Sequence, residues 1–245
     1  MRSVVVLPTY NESENIDTFL RAVRKAAPTT DVLVVDDNSP DGTGRLADEL
    51  GEELGRIEVL HRPAKDGLGS AYRAGFETVL DGRYDIVISM DADMSHDPEQ
   101  LSQIIALVAD GADVVIGSRY VPGGGTTDWP VHRQLLSKWG NLYTRAVLGV
   151  DARDCTSGYR AYRATSLAAI DPTSTTADGY AFLTELVRRL TRNGAAIVET
   201  PIIFRDRRHG KSKMSGRIIV ESMLFVTGWG ALDRWRRLTG RFSNR

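Results

Sequence analysis

Short apolar runs alternate with longer segments of helical periodicity over the first half of this chain. The apolar runs have the length of buried strands, and the longer segments repeat apolar residues at helical spacing. The pattern predicts strands at 3–7, 31–36, 57–60, 85–90 and 113–117. It predicts helices at 12–26, 43–54, 69–80 and 98–109. This alternation is typical of an α/β fold with a mostly parallel sheet flanked by helices.

Two helix starts are visible in the sequence. Asp97 can cap a helix whose first residue is Pro98. Asn11 precedes Glu14 at the spacing of a capping box, which predicts a cap for the first helix.

The regular alternation ends near residue 120. A Pro/Gly run occupies 122–125, and the chain beyond it has helical periodicity until a strand pattern returns at 196–204. No internal repeat or low-complexity linker divides the sequence. We therefore expect one domain over 1–216, followed by a separate C-terminal segment at 217–245.

Polar residues follow three of the predicted strands at the point where each strand ends. They occupy 8–12, 36–43 and 91–93. In an open α/β sheet, ligands bind outside the carboxyl ends of the parallel strands. We therefore expect these three loops to meet at one edge of the sheet and to form the functional site.

The segment Asp91-Ala92-Asp93 carries two carboxylates directly after a buried strand. Alternate residues of an extended segment project to the same side, so both carboxylates can reach one cation. Hard cations such as Mg²⁺ and Mn²⁺ prefer oxygen ligands and can bridge a diphosphate. The pair predicts a divalent metal site, and a solvated turn is the alternative for an isolated pair of this kind.

The stretch from Gly42 to Ala47 matches the dinucleotide-binding fingerprint in its spacing of small residues. That fingerprint requires its first glycine directly after a strand. Here six polar or turn residues, 36–41, separate the glycine from the apolar run. The sequence therefore argues against a dinucleotide-dependent oxidoreductase, and it contains no P-loop.

Composition and charge agree with a globular enzyme. The chain has 245 residues, of which 42% are hydrophobic and 26% are charged. The net charge is −1, but 201–245 contains eleven Lys and Arg against three Asp and Glu. This basic tail favours phosphate or an anionic membrane surface as a partner, and a solvated charged tail is equally compatible. We expect no nucleic-acid partner.

Cys155 is the only cysteine, so we expect neither an intrachain disulfide nor a Cys-based metal site. The N-terminus lacks the length and cleavage-site pattern of a signal peptide. No segment reaches the roughly 20 apolar residues that span a bilayer. We therefore expect the chain to fold in the cytoplasm.

Six motifs together resemble the inverting GT-A glycosyltransferases of family 2. They are VLPTYNE at 6–12, VVDDNSPDGT at 34–43, MDADMSHDP at 90–98, GSRY at 117–120, DCTSGYR at 154–160 and FRDRRHGKSKM at 204–214. The last two narrow the resemblance to the dolichol-phosphate, or polyprenol-phosphate, mannose synthases. The motifs occur in order and cover about residues 3–216.

The resemblance implies a GT-A catalytic domain that transfers mannose from GDP-mannose to a polyprenyl (dolichyl) phosphate. The products would be polyprenyl β-mannosyl phosphate and GDP, and Mg²⁺ or Mn²⁺ would be required. Carried over to this sequence, the nucleotide-sugar site comprises Pro8, Tyr10, Glu12, Val35, Asp37, Asp91, Ala92 and Asp93. Asp91 and Asp93 would hold the metal. Relatives often carry Gln at position 95, and Ser95 would either coordinate the metal weakly as a third ligand or leave that place to water. His96 is expected to be structural, because hard cations prefer oxygen ligands.

The resemblance also implies a site for the acceptor phosphate. Arg119 and Arg133 are expected to clamp this phosphate, with Ser137 one helical turn beyond Arg133 as a helper. Arg207 and Lys213 are expected to neutralise the donor diphosphate as GDP leaves. The predicted catalytic set is Asp93, Arg119, Arg133, Arg207 and Lys213. No general base is expected, because a phosphate monoester is already anionic near neutral pH.

The segment 154–160 is expected to form a turn that shapes the sugar pocket. Asp154 and Arg160 flank it, and Gly158 would allow a close approach of the backbone. A purely structural turn is equally compatible with these residues. Cys155 is expected to fill space beside the turn, as a small hydrophobic residue.

An apolar run at 218–232 contains Trp229 and is followed by Trp235 and several arginines. It predicts either a core helix or an amphipathic helix in a membrane interface, and a lipid acceptor favours the second. Gly228 and Gly230 weaken its helix propensity. The protein would then attach peripherally to the cytoplasmic face of a membrane, through this helix, the lipid or an integral-membrane partner.

Two other functions remain compatible with the sequence. A UDP-glucose-dependent polyprenyl-phosphate glucosyltransferase would use the same scaffold, because the motifs specify the scaffold better than the sugar or the base. A non-catalytic sugar-nucleotide-binding regulator is the alternative from another class. The predicted acceptor clamp argues against a regulator, because a sensor of nucleotide sugars does not need one.

Overall fold

The computed structural model of the chain describes residues 1–206 and 216–239. Its strands are β1 (Ser3–Thr9), β2 (Asp31–Asp36), β3 (Ile57–His61), β4 (Ile86–Ser89), β5 (Val114–Ser118), β6 (Gly125–Thr126), β7 (Arg160–Arg163), β8 (Ile197–Pro201) and β9 (Ile203–Phe204). Its helices are α1 (Ile16–Ala26), α2 (Thr43–Leu54), α3 (Leu68–Val79), α4 (Leu101–Ala109), α5 (Val131–Leu148), α6 (Ala164–Ala169), α7 (Gly179–Arg192) and α8 (Gly216–Leu238).

Seven of the strands form one sheet in the order β3-β2-β1-β4-β7-β5-β8. Neighbouring strands are parallel except at β7, which is antiparallel to both β4 and β5. Since β7 opposes both of its neighbours, β4 and β5 point the same way as the remaining strands. The carboxyl ends of β1, β2, β4 and β5 therefore lie at one edge. The predicted α/β fold with a mostly parallel sheet flanked by helices is confirmed.

The strands read as continuous apolar runs because helices cover both faces of the sheet. Along β1, Val4 and Val6 belong to one core cluster, which also contains Phe76 of α3. Val5 and Leu7 belong to a second cluster, with the buried residues of α1 and α4. Alternate side chains of a strand point to opposite faces, so both sets must be apolar.

The first helix begins later than its sequence pattern predicts. α1 starts at Ile16, and the prediction that Asn11 caps it is wrong. Asn11 has a φ of 57°, in the left-handed region, and its N–H donates to Ser39 Oγ at 3.1 Å. Asn tolerates this conformation, so the chain turns here towards the loop after β2. The Asp97 prediction is confirmed, because Asp97 Oδ1 accepts a hydrogen bond from the Glu99 N–H at 3.0 Å.

The region from 121 to 195 contains a strand that its sequence pattern does not predict. β7 has the sequence Arg-Ala-Tyr-Arg, which is too short and too polar to form an apolar run. Arg160 is fully buried there, because its guanidinium donates to three backbone carbonyls at 2.7–2.8 Å. The strand predicted at 196–204 is divided into β8 and β9, and β9 pairs with β6 outside the main sheet.

α8 packs against α5 and α7. Its Asp233 pairs with Arg188 of α7 at 2.6 Å, and Gly230 leaves room for Val147 of α5 where a Cβ would collide. The helix is not amphipathic in the predicted sense, because apolar residues lie on both its packed and its exposed side. Val226 is buried in the core, whereas Leu224 is 68% exposed. In the described part of the chain, no helix is long and apolar enough to cross a bilayer.

Candidate active site

A cavity of about 420 Å³ lies at the edge where the carboxyl ends of the parallel strands meet. Loops after β1, β2, β4 and β5 form part of its wall, and residues of α5, α7 and α8 form another part. The start of α3, Trp129, the segment 156–158 and Phe204 also line it. The structure brings ten predicted site residues to this wall: Pro8, Tyr10, Glu12, Asp37, Asp91, Ala92, Asp93, Arg119, Arg133 and Ser137. Arg207 and Lys213 lie outside the described residues.

Two predicted residues lie away from the wall. Val35 is fully buried in β2, where it packs with Val6 beneath Gly75 of α3. Strand alternation turns its side chain into the core, and its predicted place in the nucleotide-sugar site stays a prediction. Ser95 is 1% exposed and is also absent from the cavity wall.

Asp36, at the end of β2, ties together the loops that follow β1 and β2. Its carboxylate accepts hydrogen bonds from Thr9 Oγ1 at 3.0 Å and from Ser39 Oγ at 2.6 Å. Gly44 approaches it so closely that a Cβ would lie 2.8 Å from Asp36 Oδ2. The glycine of the apparent dinucleotide fingerprint therefore serves the packing of α2 against this loop.

Asp37 forms a largely buried ion pair with Arg62. Burial raises the pKa of Asp37, and the charge of Arg62 opposes that shift. Arg62 is itself held by Ser70 Oγ at 2.7 Å. The carboxylate is thus fixed at the cavity wall, where it can accept a hydrogen bond from a nucleotide donor.

Tyr10 carries a cation on its ring. The Nζ of Lys65 lies 3.9 Å from the ring centroid, and both residues line the cavity. Such a contact contributes about 0.5–1 kcal/mol at an exposed site. A nucleobase that stacks on Tyr10 therefore has to displace the ammonium.

Asp93 is held by the residue two positions beyond it. Its Oδ1 accepts hydrogen bonds from the Ser95 N–H at 3.1 Å and from Ser95 Oγ at 2.5 Å. The buried Ser95 hydroxyl therefore orients Asp93. Whether Ser95 or water provides a third metal ligand stays a prediction. The Asp91 carboxylate lies over Gly158, where a Cβ would be 3.5 Å from both of its oxygens.

The two aspartates suit a small divalent cation that binds together with a diphosphate. Among the described residues, no cluster of three or more His, Cys, Asp and Glu side chains is placed to hold a metal. Mg²⁺ is usually bound through one or two carboxylates, with substrate phosphates and water completing its coordination. The donor set of Asp91 and Asp93 fits that pattern.

His96 supports the turn that carries Asp91. Its Nδ1 accepts a hydrogen bond from the Asp91 N–H at 3.1 Å, and its ring stacks on Tyr159 with centroids 5.2 Å apart. Burial lowers the pKa of His96, against the opposing charges of Asp91 and Asp93. A neutral imidazole with Nδ1 engaged agrees with the structural role predicted for this residue.

Arg119 and Asp154 form a buried bidentate ion pair. The Nε and Nη2 of Arg119 donate to the two carboxylate oxygens at 2.7 and 2.6 Å. Burial acts to lower the pKa of Arg119, but Asp154 raises it above its ordinary value. Burial acts to raise the pKa of Asp154, but Arg119 lowers it. Asp154 thus occupies the fork predicted to clamp phosphate, and Arg119 presents its charge and its Nη1.

Arg133 lies in the first turn of α5 and stacks on Trp129, with its Cζ 3.9 Å from the ring centroid. Its Nη1 is 3.5 Å from Asp206 Oδ1. Ser137 is one helical turn further, as predicted, and its hydroxyl accepts a hydrogen bond from the Tyr120 hydroxyl at 2.6 Å. Arg133 and Ser137 therefore reach the cavity from one face of α5.

This arrangement of strand-end carboxylates and facing arginines agrees with a known protein family. The family model for Glycosyl transferase family 2 matches residues 4–170. The chain belongs to glycosyl transferase family 2.

Named relatives of this glycosyltransferase cover nearly its whole length. An undecaprenyl-phosphate mannosyltransferase of Micrococcus luteus is 49% identical, over 98% of this chain and 99% of that protein. A polyprenol monophosphomannose synthase of Mycolicibacterium smegmatis is also 49% identical, over 98% of this chain and 91% of that protein. The solved glucosyl-3-phosphoglycerate synthase of Mycobacterium tuberculosis shares the GT-A fold, with a TM-score of 0.69 at 20% identity, over 93% of this chain and 80% of that one.

The cavity of the glycosyltransferase contains residues that sequence reasoning missed, and Asp178 is one of them. Its Oδ1 accepts a hydrogen bond from the Gly69 N–H, and its carboxylate fills the space that a Cβ on Gly67 would need. Arg73 Nη1 reinforces this clasp by donating to the Ala177 carbonyl at 3.0 Å. In the sequence, only the two glycines at the start of α3, Gly67 and Gly69, indicate this contact with Asp178.

Asn141 is a second missed residue, and it joins α5 of the glycosyltransferase to the segment 154–158. Its Oδ1 accepts the Cys155 N–H at 2.8 Å, and its Nδ2 donates to Thr156 Oγ1 at 3.2 Å. The side chain is 2% exposed, so these bonds are shielded from water. Burial raises the pKa of Cys155 to about 12, which agrees with the space-filling role predicted for its thiol.

Proposed function

We propose that this glycosyltransferase transfers mannose from GDP-mannose to a polyprenyl phosphate, with inversion at the anomeric carbon. One observation carries the proposal: a single cavity contains the Asp91 and Asp93 carboxylates, the Arg133 side chain and apolar residues of α5 and α8. A sugar nucleotide, an anionic acceptor and its lipid chain each require one of these features. The two relatives at 49% identity, both named for polyprenyl mannose transfer, support the choice of sugar and acceptor.

The donor nucleotide would bind at the loops after β1 and β2. Tyr10 offers a ring for stacking, and Glu12 and Asp37 offer carboxylate acceptors for ribose or base donors. When Mg²⁺ or Mn²⁺ is bound by Asp91 and Asp93, it supplies Lewis-acid neutralisation of the diphosphate charge. These residues are therefore the ones that position the sugar and ease the departure of GDP.

The acceptor phosphate would be its own nucleophile. One of its anionic oxygens forms the bond to the anomeric carbon, while the bond from that carbon to the diphosphate breaks and GDP keeps the electron pair. This single displacement inverts the carbon and needs no general base. The protein then has to supply position and positive charge, which Arg119, Arg133 and Ser137 provide at the cavity wall.

The lipid chain of the acceptor would leave the cavity along α5 and α8. Leu136 and Trp139 of α5 and Met223 of α8 line the cavity, so its wall continues into apolar side chains. On the same two helices, Leu135 of α5 is 62% exposed and Trp235 of α8 is 52% exposed. We infer that this face lies against the membrane that holds the lipid, because exposed apolar patches of this kind mark interaction sites.

The charge of exposed side chains supports the same orientation of the protein towards the membrane. Lys138 and Arg234 are exposed on the two helices, and 201–245 as a whole has an excess of basic residues. Basic residues beside an apolar face attract anionic lipids. We place the protein peripherally on the cytoplasmic face of the membrane. Its single free thiol suits that reducing compartment. An integral-membrane partner would strengthen the attachment. Arg207 and Lys213 keep their predicted role at the leaving diphosphate.

The test is a transfer assay with the purified chain. It is incubated with Mg²⁺, a polyprenyl phosphate and either labelled GDP-mannose or labelled UDP-glucose, and the label in the lipid phase is measured. We expect label only from GDP-mannose. Label only from UDP-glucose would replace the proposal with a glucosyltransferase. Label from neither donor, with GDP binding intact, would favour a sugar-nucleotide-binding regulator.

A further inference from the structure

The ring of Trp129 lies close to both arginines that are proposed to bind the acceptor phosphate. The Cζ of Arg133 lies 3.9 Å from its ring centroid, and the Cζ of Arg119 lies 5.4 Å from it. The indole is 6% exposed and lines the cavity. Guanidinium groups are attracted to the face of an indole, so the ring helps to hold Arg133 and Arg119 in place.

Two buried donors at this place have no acceptor. Within the described part of the chain, neither Trp129 Nε1 nor Arg133 Nε has a hydrogen-bond partner. A buried donor without a partner is costly, and native proteins leave few of them. Both donors would be satisfied by an anionic oxygen, and each can only donate. Their position beside the cavity therefore points to a bound anion.

The residues around Trp129 keep it in place without using its N–H. Its ring meets Phe204 edge to face, with centroids 5.4 Å apart. Its carbonyl accepts a hydrogen bond from Gln134 Nε2 at 3.0 Å, and the neighbouring Thr127 N–H donates to the Phe204 carbonyl at 2.9 Å. The indole is thus anchored by its edge and its backbone, and the N–H remains available.

We infer that Trp129 is a further acceptor-binding residue, whose indole N–H donates to an oxygen of the acceptor phosphate while its ring aligns Arg119 and Arg133. The inference rests on the proposed function, because the anion is taken to be the phosphate of the polyprenyl acceptor. It assigns Trp129 two separable tasks. The N–H binds the phosphate directly, and the ring positions the two guanidinium groups.

The substitution Trp129→Phe separates the two tasks, because it keeps an aromatic face and removes the N–H. We expect the KM for polyprenyl phosphate to rise about tenfold, since a hydrogen bond to a charged group is lost. The KM for GDP-mannose and the kcat at saturating acceptor should stay within about twofold of the wild type. Arg133→Lys keeps the charge and removes Nε, and it should raise the same acceptor KM.

The matched control is Tyr84→Phe at the other edge of the sheet. Tyr84 is also a buried aromatic residue with two arginines over its ring, Arg2 at 5.2 Å and Arg83 at 5.6 Å, and it lies outside the cavity. This variant should show wild-type constants for both substrates. Thermal unfolding of each variant is measured in parallel, because a purely structural role for Trp129 would lower the melting temperature and shift both KM values together.

Several outcomes would overturn the inference. If folded Trp129→Phe has an unchanged KM for polyprenyl phosphate, the indole N–H does not bind the acceptor. If the KM values for both substrates rise together, Trp129 has only a packing role. If Trp129→Phe does not fold, an unchanged acceptor KM in Arg133→Lys overturns the anion site instead. A wild type that transfers no mannose to polyprenyl phosphate would refute the proposed function itself, and the inference would fall with it.

Discussion

The cavity has a proposed donor side, at the loops after β1, β2 and β4, and a proposed acceptor side, at Arg119, Trp129 and Arg133. Different interactions build the two sides. On the donor side, Asp36 joins the loops after β1 and β2 through hydroxyl groups, and the loops follow adjacent parallel strands. On the acceptor side, the buried pair of Arg119 and Asp154 and the stack on Trp129 connect β5 to α5. The donor side therefore inherits its geometry from the sheet, whereas the acceptor side depends on charged and aromatic side chains from distant parts of the chain.

This difference teaches where each side is vulnerable. The donor loops are short and follow strands whose register is fixed by backbone hydrogen bonds, so a single side-chain change there should affect chemistry more than folding. The acceptor side contains a fully desolvated ion pair, so loss of one partner should affect folding as well. The predictions below test this contrast, beginning with the largest expected effect.

The donor side is tested most directly by Asp93→Asn. An Asn oxygen can still accept the Ser95 hydrogen bonds, so the fold should be retained while the charge for the metal is lost. We expect the rate of mannose transfer to fall about a thousandfold, because several kcal/mol of metal-dependent stabilisation disappear. Asp97→Asn is the control, since Asn also caps helices and the same loop loses one charge. Equal activity of both variants would contradict the metal assignment.

The acceptor side is tested by Asp154→Asn, which leaves the Arg119 charge buried and unpaired. The free energy of unfolding should fall by about 3 kcal/mol at neutral pH. Denaturant unfolding measures it. Asp151→Asn is the control, because its carboxylate is exposed and 3.5 Å from Arg145, and it should leave stability unchanged. Similar stabilities for the two variants would show that the buried pair is dispensable.

The same pair predicts a pH dependence with a definite sign. The pKa of Asp154 is lower in the folded protein than its ordinary value. Its contribution to stability is therefore fully present above the ordinary carboxyl pKa and is lost as the pH falls through the lowered folded pKa. The stability difference between wild type and Asp154→Asn should be constant near neutral pH and should shrink in acid. A difference that grows in acid would contradict this sign.

The clasp at Asp178 connects the start of α3 to α7, and Gly67→Ala tests it. The new Cβ would collide with the Asp178 carboxylate, whereas Gly82→Ala meets nothing within 4 Å at a similar φ of 92° against 85°. The second variant therefore controls for the strain of a positive φ. We expect Gly67→Ala to cost about 1–3 kcal/mol more in unfolding free energy and to weaken GDP binding. Equal costs would mean that the loop moves freely away from Asp178.

The smallest effect is expected on the exposed apolar face of α5 and α8. Leu135→Ser and Leu142→Ser each remove a side chain that is 62% exposed. Each should reduce binding to anionic lipid vesicles several-fold in a flotation assay, with GDP binding unchanged. Ala168→Ser, an exposed apolar-to-polar change on α6, is the control. Wild-type vesicle binding by both leucine variants would move the membrane contact away from α5.

The sequence predicted the donor side well because local rules were sufficient there. Apolar runs and helical periodicity placed the strands, and the rule for parallel sheets placed the loops after them at one edge. Asp91 and Asp93 followed from their position after β4. The failure within this half was local, since Asn11 entered a left-handed turn instead of capping the first helix.

The acceptor side was predicted less completely because its contacts join residues far apart in the chain. Arg119 and Arg133 were identified by resemblance, but the partner of Arg119 lies 35 residues away. Hydrophobic periodicity along the sequence does not reveal contacts between residues so far apart. The strand β7 was missed for a similar reason. Arg160 can be buried in this strand only because the fold brings backbone carbonyls that accept hydrogen bonds from its guanidinium.

By itself, then, the sequence determined the alternation of strands and helices, the edge of the sheet at which the site lies and the carboxylate pair beside it. These follow from hydrophobic burial and strand geometry, which act over a few residues. Only the tertiary structure decided that Asp154 engages Arg119, that Trp129 lies close to both arginines and that α8 closes one side of the cavity. Those contacts exist because packing brings distant side chains within hydrogen-bonding and van der Waals distance, and local sequence carries no record of that proximity.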